Sequence, residues 1–126
     1  MDFPENLKYT KDHEWLLVTG DTGTAGITEH AQGELGDVVF VELPAVGRAL
    51  KQHESFGTIE AVKAVSDLYA PVSGTVLEVN QSLSASPETV NKDPYGKGWM
   101  IKIKIANAAE LSTLMDAKAY KSLIGK

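Results

Sequence analysis

The chain has 126 residues, 43% hydrophobic and 23% charged, with a formal net charge of -5 and no cysteine. That length predicts a single domain over residues 1–126 that buries its own core without metal or disulfide staples, and the composition is that of a folded, soluble protein. The acidic balance argues against nucleic acid as a partner, since such binding begins with a concentrated basic patch; the missing cysteines exclude disulfide frameworks, cysteine-based metal sites and thiol nucleophiles.

The opening stretch MDFPENLKYTKDHEW has neither the basic and apolar regions of a secretory signal nor the Arg-rich character of a transit peptide. No apolar run approaches the roughly 20 residues of a membrane span, so a cytoplasmic monomer with no membrane partner is expected. Short apolar runs then recur between Gly and Pro: EWLLVT, GTAGIT, DVVFVEL, GTIEAV, GTVLEV and GWMIKIKI. Their spacing predicts a mainly β fold, a sandwich or a barrel.

In chain order, Thr28 is placed to cap a short helix over EHAQGEL, weakened by Gly33. DVVFVEL is apolar on both parities, which suits a strand covered on both faces and ended by Pro44. Gly36–Val41 resembles Gly74–Val79, each followed by a second apolar run, as an internal repeat would be. Ser86-Pro87-Glu88 offers a first helical turn to PETVN, and Pro94-Tyr95-Gly96 a turn. Trp99, Ile101, Ile103 and Ile105 then fall on one face of a strand, with Lys102 and Lys104 on the other. A C-terminal helix starts at the cap Asn107, with Glu110 three residues on and Leu111, Leu114 and Met115 on one face. A further turn or two follows Asp116, and Tyr120, Leu123 and Ile124 complete the buried face.

Between Gly57 and Gly74 two strand-like runs meet at Val62-Lys63-Ala64, which reads as a hairpin with a lysine at its tip. Ala61 and Ala64 leave that side chain uncrowded, and a four-carbon stem ending in an amine is a natural anchor for an acyl arm. On hairpin position alone, a lysine at a strand end reads first as a solubilising charge, and no Asn-Gly or Asp-Gly marks the turn.

EAVKAVSDLYAPVSGTVLEVN closely resembles the lipoylation segment of the glycine cleavage H proteins, in which an acidic residue stands three before the modified lysine and Ser-Asp follows it. Glu60, Lys63, Ser66 and Asp67 occupy those places. Three further blocks, KYTKDHEW, GITEHAQGELGDVVFVELPAVG and VNKDPYGKGWMIKIK, extend the resemblance over nearly the whole chain. Ala61, where many members carry serine, and the acidic Asp12 are departures.

The resemblance implies a lipoyl/biotinyl-type hybrid barrel or flattened sandwich with short peripheral helices and a C-terminal helix. It implies lipoate in amide linkage to Lys63, with Glu60, Val62 and Ala64 read by a lipoate ligase or a lipoyl/octanoyl transferase. The arm would carry an aminomethyl group from a pyridoxal-phosphate glycine decarboxylase to a tetrahydrofolate-dependent aminomethyltransferase. A dihydrolipoyl dehydrogenase containing FAD would reoxidise it. On this reading the chain is a carrier and not an enzyme, in keeping with the family's part in glycine catabolism and one-carbon metabolism. By position, Glu14 and Asp67 would hold the cationic end of the loaded arm, Ile27 would give an apolar wall and Asp12 a further acceptor.

His13, His30 and His53 lack metal-ligand spacing and are expected to be structural or solvent-facing, so no metal site is predicted. No nucleophile elbow, phosphate loop or dinucleotide fingerprint is present, and no catalytic residue is assigned. The alternatives are a lipoyl or biotinyl domain of a multienzyme complex, an H-like protein that relays lipoyl groups, or a non-carrier β-sandwich binding module. Biotinyl domains flank their lysine with methionines, where this chain has Val62 and Ala64.

Overall fold

The six apolar runs seen in the sequence all become strands. The computed structural model describes residues 2–126, with strands β1 (Lys8–Tyr9), β2 (Glu14–Thr19), β3 (Thr22–Ile27), β4 (Val38–Glu42), β5 (Ala49–Leu50), β6 (Ser55–Ala61), β7 (Val65–Tyr69), β8 (Gly74–Val79) and β9 (Ile101–Ile105). Around them lie α1 (Glu29–Leu35), α2 (Ser82–Ala85), α3 (Thr89–Lys92) and α4 (Ala117–Leu123). Every strand pair is antiparallel. The order β1-β2-β3-β9-β8-β5 forms one sheet and β4-β6-β7 the other. Neither closes on itself, so of the two expected forms the flattened sandwich is the one realised.

Successive strand residues point to opposite faces, and β2 uses both. Leu16 joins Ile27, Ile101 and Ile103 from the large sheet with Val41, Phe56, Ile59 and Leu68 from the small one in the main core. Trp15 turns the other way into a second core of Phe3, Leu7, Tyr9 and Tyr120. That second core ties both ends of the chain to β2.

The internal repeat is structural. The β4–β6 ladder slips between Val38 and Phe40, and the β8–β9 ladder slips between Val76 and Glu78. Both slips fall at the same repeat position, occupied by Val39 and Leu77. An extra residue there bends each strand and turns its side chain outward, leaving Val39 52% and Leu77 45% exposed.

Several local expectations are corrected. DVVFVEL is not covered on both faces, because the small sheet packs on the core with one face and turns the other to solvent: Phe40 is 47% exposed. Trp99 lies before β9 and packs on the second core, apart from Ile101 and Ile103, while fully buried Met100 breaks the alternation. Ser86 does not cap PETVN. It ends an unforeseen helix, α2, and α3 starts later, at Thr89, with no side-chain cap.

Asn107 does cap, its side chain accepting from the Ala109 N–H, but what it starts is a 3-10 turn over Ala108–Thr113. Met115 and Tyr9 then exchange backbone hydrogen bonds of 2.9 and 2.8 Å. This bridge forces the chain to be extended between the 3-10 turn and α4, which restarts at the cap Asp116. The predicted cap of α1 is present, with the Thr28 hydroxyl accepting from the Ala31 N–H at 3.1 Å.

Candidate functional site

β6 and β7 form the anticipated hairpin. Ala61 and Ala64 exchange backbone bonds of 2.7 and 3.4 Å, leaving Val62 and Lys63 as a two-residue tip, both exposed. Two-residue loops usually need left-handed residues to match strand twist, yet among the described residues only His13 and His53 combine a side chain with positive φ. The tip has an outside support instead, the Val62 N–H donating to the Asp37 carbonyl at 3.0 Å. The Lys63 stem runs over Gly36, the residue ending α1 at φ 81°, where a Cβ would lie 3.1 Å from Lys63 Cε. Glu60 pairs across the hairpin with Val65 and across the sheet with Phe40, and it sits exposed two residues before the tip.

A cavity of about 320 Å³ opens beside this hairpin. The turn before β2 supplies Asp12 and His13, the start of β2 supplies Glu14, β3 supplies Ile27, α1 supplies His30, Ala31, Glu34 and Leu35, and the small sheet supplies Ile59, Ser66, Asp67 and Leu68. Asp12, Glu14, Ile27 and Asp67, spread over 56 positions of sequence, therefore line one cavity. No lysine or arginine is among its lining residues.

Glu14 is the least ordinary group here. It is only 2% exposed; its carboxyl accepts from the Thr10 hydroxyl at 2.8 Å and from the Tyr69 N–H at 3.3 Å. Burial pushes its pKa up to about 8 against these hydrogen bonds, so the carboxyl holds its proton near neutrality. Asp67 is exposed at the cavity edge. The Tyr69 phenol is pushed up chiefly by Asp67, with burial, Asp12 and Glu14 adding to it. One hydroxyl thus senses all three carboxyl groups, a mark of their convergence.

His13 and His30, expected to be structural or solvent-facing, are both half-buried on the cavity wall, ring centroids 5.1 Å apart. Burial first, then His30, holds the His13 pKa below its usual value. His13 Nδ1 lies 2.9 Å from the Tyr120 hydroxyl, which is also 2.8 Å from the Thr28 hydroxyl. The C-terminal helix therefore braces the cavity from behind. Sequence held one signal for this: His13 lies between two residues already singled out. Among the described residues no group of side chains could hold a metal ion, and no helix is long and apolar enough to cross a membrane.

The arrangement is an acidic cavity with an apolar wall, set beside an exposed lysine on a braced hairpin. It suits an arm with an apolar stem and a cationic end. A family model described as "Glycine cleavage H-protein" matches residues 7–126. The chain is 56% identical over 126 residues to the glycine cleavage system H protein of Staphylococcus carnosus, with all of both chains covered. It is 61% identical over 117 residues to that of Symbiobacterium thermophilum, covering 93% of this chain and 91% of the relative. The crystal structure of a glycine cleavage system H protein from Mycobacterium marinum superposes with a TM-score of 0.90 at 40% identity, covering 98% of this chain and 100% of that one.

Proposed function

Because the chain belongs to the glycine cleavage H-protein family, which carries lipoate and moves the aminomethyl group within the glycine cleavage system, we propose that Lys63 is its point of lipoyl attachment. The whole chain then works as one cytoplasmic, monomeric carrier domain, a substrate of its partner enzymes with no turnover of its own. Those partners are glycine decarboxylase, the aminomethyltransferase, dihydrolipoyl dehydrogenase and the ligase or transferase that loads lipoate.

The observation that carries this reading is the convergence of Asp12, Glu14 and Asp67 on one cavity beside an exposed lysine. Ile27, Leu35 and Ile59 offer the arm apolar contact, and the carboxyl groups suit a protonated amine at its end. When attached, the lipoyl group supplies the sulfur chemistry, while the protein supplies binding, orientation and exclusion of water. An arriving cation favours the ionised form of Glu14, so docking and loss of the Glu14 proton go together.

Glu60, Val62 and Ala64 flank Lys63 and are read by the loading enzyme. Acylation removes one positive charge, taking the formal net charge from -5 to -6. An acidic carrier is steered to basic docking surfaces, with association rates that fall as salt rises.

Intact-mass analysis after incubation with lipoate, ATP and a lipoate ligase tests the attachment. The wild-type chain gains one lipoyl mass and Lys63→Ala gains none. A wild-type chain without the gain, or a Lys63→Ala chain with it, overturns the assignment.

A further inference from the structure

The lysine tip leans on a corner of chain, Gly36-Asp37-Val38, and that corner is fixed by a single side chain from elsewhere. Asn91, in α3, uses its whole carboxamide there: Oδ1 accepts from the Val38 N–H at 2.9 Å, and Nδ2 donates to the Gly36 carbonyl at 2.8 Å and to Gln32 Oε1 at 3.0 Å. The corner in turn holds the tip in three ways. The Asp37 carbonyl accepts from the Val62 N–H, Val38 pairs with Ala61, and Gly36 lies under the Lys63 stem.

We propose that Asn91 is a positioning residue for the acylation of Lys63, holding the corner on which the lysine tip is seated. The tip needs such a device because its own two residues form a turn without the left-handed backbone that normally sets a hairpin loop. With the corner loosened, the amine still reaches the acyl donor, but over a wider spread of directions. Misplacing a reacting group by about 1 Å costs up to about 100-fold in rate. Glu60, held in β6 by its pairing with Phe40 and Val65, keeps its place for recognition, so the loss falls mainly on turnover. The proposal rests on Lys63 being the acylated residue.

Asn91→Asp is the informative variant. It keeps the acceptor for the Val38 N–H and replaces two donors by an oxygen facing the Gly36 carbonyl. With apo chain, lipoate, ATP and a lipoate ligase, the expected result is a kcat about tenfold lower at a KM within about twofold of wild type. Hydrogen exchange at the Val62 amide should speed up about tenfold while the amides of Ile101 and Ile103 keep their protection. Unchanged kcat overturns the proposal, as does a lower kcat with Val62 protection intact. If Asn91→Asp does not fold, Gln32→Ala removes one of the three bonds, and the same pair of readouts should move in the same direction; no movement in either overturns it. A wild-type chain that takes no lipoyl group removes the assignment of Lys63 itself, whereas equal loading of wild type and variant removes only the role of Asn91.

Discussion

Replacing Glu14 with Gln deletes a titration that the fold itself creates. The carboxyl is almost fully enclosed, and burial raises its pKa from 4.5 to about 8. Below pH 4.5 it is neutral in both the folded and the unfolded chain and has no bearing on stability. Between 4.5 and 8 the unfolded chain releases the proton while the folded chain keeps it, so stability falls as pH rises; above 8 the loss is complete. At about 1.4 kcal/mol per pH unit, the shift amounts to as much as about 5 kcal/mol, a large part of the roughly 5–15 kcal/mol that holds a domain together. Gln has no such titration. It keeps an oxygen for the Thr10 hydroxyl but turns an amide toward the Tyr69 N–H, a mismatch of about 1–3 kcal/mol at every pH. The two stability curves must therefore cross. Wild type is the more stable near pH 5, and Glu14→Gln above pH 8 by about 2–4 kcal/mol, or roughly 10 °C in Tm. His13, whose lowered pKa weakens the fold as pH falls, is present in both chains and cancels in the difference. Urea unfolding of both chains across this range checks the prediction, and two parallel curves would refute the claim that a buried, proton-bearing Glu14 lines the cavity.

Asp67→Asn leaves the fold intact, because Asp67 is exposed, yet removes a charge from the cavity edge; a chain loaded by glycine decarboxylase should lose its aminomethyl group several-fold faster in water, timed by ammonia release. Tyr120→Phe cuts the hydroxyl shared by His13 and Thr28 and should cost about 1–3 kcal/mol, read as a lower urea midpoint at unchanged m. Gly57→Ala drives a Cβ into the Glu42 carbonyl, backbone that cannot step aside without breaking the β4–β6 ladder; a loss of about 3 kcal/mol or more is expected by the same assay.

The strands were legible because short apolar runs stand between Gly and Pro, and β2 and β8 fall within the bounds read from their runs. What escaped depends on partners remote in sequence. The helix expected from Asn107 onward is interrupted by a bridge to Tyr9, more than a hundred residues away. The exposure of Phe40 follows from the small sheet having one face uncovered, a matter of sheet packing that DVVFVEL does not encode. At the site, resemblance grouped Asp12, Glu14, Ile27 and Asp67, which the fold brings to one cavity. His13 and His30 were missed because their proximity arises only when α1 folds over the turn before β2.

The absence of left-handed backbone at Val62 and Lys63 has a consequence for how this tip can vary. A primed turn would reserve one or both positions for glycine or asparagine, and any change made for a loading enzyme would be charged against folding. Here any L-residue but proline, which would remove the N–H that donates to Asp37, fits the backbone, and position 62, 76% exposed, contributes little to the core. Selection, natural or in a library, is therefore free to vary the side chain at position 62 with the domain beneath it unchanged.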